Sequence, residues 1–225
     1  KTRAMRDFET LDSLLAQRHS CRAFLNWPVE RALVERVVET AQKVPSWCNS
    51  QPWQLIVLSH AETNRLRDRF EAADVATPNP DVTFPERYIG AYKTRRSECG
   101  WQLYDAVGVK KGDRVASAQQ MMENFRFFGA PHVAFVTSPV ALGAYGILDC
   151  GAFVTGFMLA AQALGLGSIA QAALAGHAPL VRDALEVSED RQILCGISFG
   201  YSDTAHPANS FRTTRAAVDE VMDWR

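Results

Sequence analysis

The chain has 225 residues and is 47% hydrophobic, enough for one α/β-type domain with a substantial core. Its 24 Lys and Arg residues nearly cancel its 25 Asp and Glu residues, so global charge argues for neither a nucleic-acid partner nor a membrane surface. The five cysteines form no CxxC pair and are odd in number, which suits free thiols in a reducing cytoplasm rather than a disulfide framework. No leading apolar run reads as a signal peptide.

Phe8, Leu11, Leu14 and Leu15 share one helical face and predict a helix over 8–18. Leu33, Val34, Val37, Val38 and Ala41 predict a second over 29–43, with Pro28 placed to help start it and Pro45 to end it. Residues 53–59 read as a buried strand and 61–73 as a helix. Pro78, Pro80 and Pro85 among many polar groups make 74–100 a long excursion rather than a core element. Extended to about 74–112, it is the candidate lid over a substrate pocket, set in a single domain over 1–225. Helix is expected over 114–128, strand over 132–137 and a long small-residue helix over 146–164. A short strand or turn at 167–171, a helix at 177–186 and a strand at 193–201 follow, then a polar tail from Ser202. Strands alternating with helices favour α/β or α+β with helices covering a sheet.

From Cys150 to Val181 no residue is charged, a length that would cross a bilayer. Gln162, Gln171, His177 and Pro179 interrupt it, Gly165 and Gly167 break it, and no basic cluster flanks it, so a buried helix is expected.

Four segments carry candidate chemistry. Arg18-His19-Ser20-Cys21-Arg22 sets two guanidinium groups and a hydroxyl where a phosphate would be gripped, although a solvated helix end explains the same residues. Pro45 to Trp53 is a loop in which Ser46, Asn49 and Gln51 offer donors and acceptors for a heteroaromatic edge, or an ordinary helix-to-strand connection. Gly165 to Ala172 offers exposed amides, but its GxG follows a helix and fits no dinucleotide fingerprint. Asn209 to Arg215 adds Arg212 and Arg215 in what is otherwise a polar tail. The scattered histidines have no metal-ligand spacing, no nucleophile elbow or Walker loop is present, and Cys48 reads as small polar filler rather than a nucleophile.

Taken in order, RHSCRAF (18–24), PSWCNSQPW (45–53), GLGSIAQ (165–171) and SFRTTR (210–215) resemble the motifs of the nitroreductase family of FMN enzymes. The resemblance covers nearly the whole chain. It implies an α+β fold with a central, mainly antiparallel sheet flanked by helices, in an intertwined homodimer. It implies that Arg18, Ser20 and Arg22 hold the FMN phosphate, ribityl and pyrimidine, with the backbone of His19 nearby. Pro45, Ser46 and Asn49 would reach the flavin of the other subunit, and Asn124 the ribityl chain. Backbone amides at Gln171 and Ala172 would face flavin N5, while Arg212 and Arg215 close on the phosphate. Two departures stand out: Ala172 lies where many relatives carry an acidic residue, and the stretch 74–112 is longer than in compact members.

The resemblance implies ping-pong transfer of hydride from NAD(P)H, by way of flavin N5, to an electron-poor acceptor such as a nitroaromatic or quinone. No protein side chain is required as a catalyst, and no metal. The alternatives are a related flavin reaction, reductive dehalogenation or flavin degradation, and a non-catalytic flavin-binding protein. The basic aromatic residues of the excursion (Phe84, Arg87, Tyr88, Tyr92, Lys93, Arg95, Arg96) form either a lid for an anionic aromatic substrate or a solvated loop. The expected partners are a second copy of the chain and a small aromatic acceptor, with no nucleic acid and no membrane, in the cytoplasm.

Overall fold

A computed structural model describes residues 2–225. Four strands, β1 (Gln54–Val57), β2 (His132–Pro139), β3 (Gly167–Gln171) and β4 (Arg191–Gly200), pair antiparallel in the order β1-β2-β4-β3. β2 is buried along nearly its whole length, as a central strand covered on both faces must be. Val133 lies opposite Ser198 and Phe135 opposite Gly196, and a bulge shifts the register between Val136 and Thr137.

Alternate residues serve opposite faces. Val133, Phe135, Ile169 and Ile193 point to one core, which gathers Leu66 and Phe70 of α3 (His60–Ala72), Phe125, Phe127 and Leu174. Ala134, Val136, Ile197 and Phe199 point to the other, which gathers Val34 and Val37 of α2 (Arg31–Ala41) with Phe153 and Phe157 of the 21-residue helix later in the chain (Gly143–Ala163). A Cβ built on Gly156 in that long helix would lie 3.3 Å from the Ala41 backbone and 2.8 Å from Val44, so glycine sets how closely it meets α2.

The antiparallel α+β sheet matches the expected fold. Several boundaries differ. The first helix, α1, spans Arg3–Gln17, because Thr2 accepts from the Met5 amide (3.3 Å) and caps it well before Phe8. Pro28 does not enter α2, whose N-cap is Glu30. The main correction lies in the excursion. Its second half is a 17-residue helix, α4 (Gly90–Ala106), and a shorter helix, α5 (Arg114–Met122), follows. The coil before α4 is also anchored. Asn79 donates to the Gly176 carbonyl (2.7 Å), and the Asp81 carboxylate accepts from Ile193 N and Arg182 (both 2.7 Å). The helix expected over 114–128 stops at Met122 and gives way to a tight turn, in which Phe127 and Phe128 hold φ of 58° and 53°. The long helix over Gly143–Ala163, here α6, buries one face and leaves Tyr145 and Leu148 exposed on the other, so the expected burial is realised on one side only. It is long and apolar enough to cross a membrane by length and composition, as buried core helices also are. The helix expected over 177–186 is α8 (Ala178–Leu185), preceded by the single turn α7 (Ala172–Ala175).

Candidate functional site

α1 ends as Arg18 N bonds back to the Leu14 carbonyl, and the chain then runs extended along the β3 edge. Cys21 N donates to the Ser168 carbonyl (3.1 Å), and Ser20 bridges Ser168 in parallel. Cys21, Ala23 and Phe24 are buried on the inner side. Arg18, His19, Ser20 and Arg22 line a cavity of about 260 Å³ on the outer side.

The C-terminal tail closes the same cavity. After β4, Asn209 is buried and acts as a clamp. Its Oδ1 accepts from Arg22 N (2.7 Å), and its Nδ2 donates to the carbonyls of Ala23 (3.0 Å) and Asp203 (2.8 Å). The Arg22 guanidinium lies 5.6 Å from the Phe211 ring centroid, and Arg212 and Arg215 complete the wall.

Four guanidinium groups therefore converge. Among the described residues, none of them pairs with a carboxylate. Instead, Arg212 donates to the carbonyls of Asn209 and Phe211 (2.9 and 2.8 Å), and Arg215 to Thr213 Oγ1 and Thr214 O (both 2.8 Å). Burial lowers the Arg18 guanidinium below its ordinary value, and the charge of Arg215 lowers it further. Burial likewise depresses His19; the Gln17 carbonyl opposes this, and the charges of Arg212, Arg18 and Arg22 add to it. His19 Nε2 is buried without a hydrogen-bond partner. Converging cations with no counter-ion, beside an orphaned imidazole nitrogen, fit a multiply charged anion such as a phosphate ester.

At the far end of β3, Gln171 is buried and its side chain is committed. The Ser198 hydroxyl donates to its Oε1, and its Nε2 donates to Asn124 O (3.0 Å) and Oδ1 (3.3 Å). Asn124 Nδ2 in turn donates to the Met121 carbonyl (3.1 Å), so Asn124 faces Gln171 and its own turn. Ala170 and Ala172 flank Gln171 in exposed positions, leaving the strand-to-helix corner open to a ligand. Burial depresses His177 just beyond it.

The loop carrying Pro45, Ser46 and Asn49 lies elsewhere, against α6. Trp47 N donates to both Asp149 carboxylate oxygens (3.2 and 3.1 Å), and Trp47 meets the Tyr145 ring at 4.2 Å. Ser46 Oγ accepts from Gln51 N (3.0 Å). Cys48, Asn49 and Gln51 hold φ of 52°, 55° and 46°, left-handed conformations that each cost a non-glycine residue on the order of 1 kcal/mol. Pro45, Ser46 and Trp47 line an open depression with Leu148 and Asp149 that shares no residue with the arginine cavity.

Of the sequence-predicted residues, then, Arg18, His19, Ser20, Arg22, Arg212 and Arg215 come together in one chain. Gln171, Ala172 and Asn124 stand at the other end of β3, and Pro45, Ser46 and Asn49 stand apart. Three contributors carry no local signal. The Asn209 clamp, the Asp149 anchor and Cys99 of α4, which faces Arg22 in the cavity wall, each act across a long sequence separation.

Comparison with known proteins follows the same lines. The family model described as Nitroreductase family matches residues 15–201. Nitroreductase NfnB of Mycolicibacterium smegmatis is 35% identical over 216 residues, covering 95% of this chain and 92% of its own. A 4-nitrobenzoate reductase of Pseudomonas putida is 31% identical, covering 92% of both chains. The crystal structure of the FMN-dependent nitroreductase NfnB from Mycobacterium smegmatis in complex with NADPH aligns with a TM-score of 0.91 at 33% identity, covering 96% of this chain and 98% of that one.

Proposed function

The chain belongs to the nitroreductase family, and from that premise we propose that it is an FMN-dependent oxidoreductase that uses NAD(P)H to reduce a nitroaromatic. The observation that carries this is the cage of Arg18, Arg22, Arg212 and Arg215, which converges without a carboxylate. The relatives named above are a nitroreductase and a 4-nitrobenzoate reductase, which favours a nitro acceptor over a dehalogenated or flavin substrate.

FMN, when bound, supplies the hydride relay between nicotinamide and acceptor. The chain supplies the rest. The four arginines, Ser20 and His19 hold the phosphate. From Ser168, beside Ser20, to Gln171 the strand rises about 10 Å, on the scale of a five-carbon chain with its phosphate. This sets the backbone amides of Gln171 and Ala172 at the ring, where they would offer hydrogen bonds to the nitrogen that receives hydride. Ala172 has no charge to contribute, so these amides are the proposed electrostatic support. Asn124 holds the ribityl side of the pocket through its bonds to Gln171.

Pro45, Ser46 and Asn49 would come from a second copy of the chain, because within one copy Pro45 and Ser46 line a different depression and Asn49 lies on the same loop. The coil ahead of α4 is the proposed lid over the acceptor. The Phe84 ring lies 3.3 Å from where a Cβ on Gly176 would stand, close to the open corner. With FMN bound, donor and acceptor would take turns at the open corner beside Ala172, which would make the order ping-pong. The protein works in the cytoplasm, where its free cysteines stay reduced.

The test is direct. Purified protein is expected to bind FMN, to turn yellow and to oxidise NAD(P)H with 4-nitrobenzoate as acceptor. Arg18→Ala and Arg215→Ala are each expected to weaken FMN by roughly tenfold or more, the cost of one charged hydrogen bond. A colourless protein to which added FMN neither binds nor supports NAD(P)H oxidation overturns the proposal.

A further inference from the structure

We propose that α4 is a wall of the phosphate cage rather than part of a substrate lid, and that its Arg95 and Gln102 are positioning residues for the C-terminal arginines. The proposal rests on the FMN reading above and assigns a cofactor-site role to part of the 74–112 excursion.

Like charges impose the need. Arg215 is close enough to Arg18 to disfavour its charge, and both flank an opening with no carboxylate to hold them. Left alone, a tail carrying two arginines would swing away from two more. Most hydrogen bonds of residues 212–225 are local, such as Arg215 to Thr213 and Ala217 N to Glu220 Oε1 (3.1 Å). Among the described residues, their long-range hydrogen bonds and ion pairs come from α4 alone. Gln102 Nε2 donates to the Arg212 carbonyl (3.4 Å), and Arg95 Nη2 meets Glu220 Oε2 (3.1 Å). These two contacts bracket Arg215. One lies three residues before it and the other five residues after it. Cys99, between Arg95 and Gln102 on the same helix, lines the cavity against Arg22. α4 therefore touches both the N-terminal and the C-terminal arginines and fixes the gap between them.

A wall of the phosphate end predicts a specific asymmetry. It concerns FMN and not riboflavin, which has the ring and ribityl chain but no phosphate. Apoprotein titrated with each ligand separates the two. Arg95→Glu and Glu220→Arg are each expected to weaken FMN about fivefold, the upper range for an exposed ion pair, with riboflavin affinity unchanged. The doubly exchanged variant, carrying both changes, is expected to recover FMN affinity. Gln102→Ala alters no charge and is expected to lower FMN affinity in the same selective way, so the test survives poor folding of either charge reversal. Variants that bind FMN as tightly as wild type, or that lose FMN and riboflavin equally, overturn the proposal. If wild-type apoprotein binds no FMN at all, the failure belongs to the functional reading instead.

Discussion

Three imidazoles set how the protein responds to acid. His132 Nε2 accepts from Val29 N (2.9 Å), so its proton sits on Nδ1 and points to the Leu58 carbonyl (3.0 Å). Burial depresses its pKa; the Leu58 carbonyl opposes this, and His60 adds to it. Burial also leads for His19, next to the arginines, and for His177, where Asp74 opposes it. All three fold neutral, with folded pKa values below that of the unfolded chain, about 6.5. The sign follows. Above that value neither state binds the proton, and stability is complete. As pH falls through it, the unfolded chain takes up protons first and stability is lost. The urea midpoint of the apoprotein is expected to drop between about pH 7.5 and about pH 5.5, and less steeply with FMN bound, because a phosphate beside His19 favours its charged form. An unchanged midpoint across that range would show that these histidines are not buried neutral.

Among the elements, the Pro45–Trp53 loop and α4 show what a local pattern reveals and what it hides. The loop's polar density marks it in the sequence, but its shape depends on Asp149, about a hundred residues on. Both carboxylate oxygens accept from Trp47 N, and Ser50 Oγ donates to one of them (3.4 Å). Asp149→Ala leaves the Trp47 amide without its partner and releases the strained left-handed residues Cys48, Asn49 and Gln51. The expected cost is about 1–3 kcal/mol in unfolding free energy, together with weaker FMN binding, measured by denaturation and by flavin titration. Equal stability and equal FMN affinity would mean that the loop is held by other contacts. The helices α1 and α2 are legible from sequence by their apolar stripes, α6 by its long uncharged small-residue run, and β1, β2 and β4 by short apolar runs, while 167–171 reads only as a strand or a turn. α4 is not legible. Its Tyr92, Trp101 and Leu103 form no continuous stripe, none of its residues is buried, and its partners lie 110 and 125 residues away in the tail. The resemblance already brings the arginine motifs to one phosphate, but the Asn209 clamp that holds the two chain segments together is not legible in the local pattern.

At the scale of the whole molecule, one copy leaves too much apolar surface uncovered. α1 is amphipathic and packs along α6, yet none of its residues is buried, and Phe8 and Leu11 are 68% and 50% exposed. Tyr145 and Leu148 on α6 and Trp47 on the loop are exposed beside it. A contiguous apolar face of this kind on a folded domain calls for a partner. The proposed partner is a second copy, because the loop bearing Ser46 and Asn49 lies on this face and needs another subunit's flavin to serve. Cofactor and dimer are then linked, since FMN bound across the interface stabilises the pair and dilution of the pair releases FMN. Sedimentation is expected to give a dimer. Leu11→Glu and Leu148→Glu, which place charges in the interface, are expected to yield monomers with weakened FMN although the arginine cage is untouched. FMN affinity in the wild type is expected to fall as the protein is diluted through the dimer dissociation range. A wild-type monomer that holds FMN equally well at every concentration would place the whole flavin site in one chain and leave the Pro45–Trp53 loop without its proposed role.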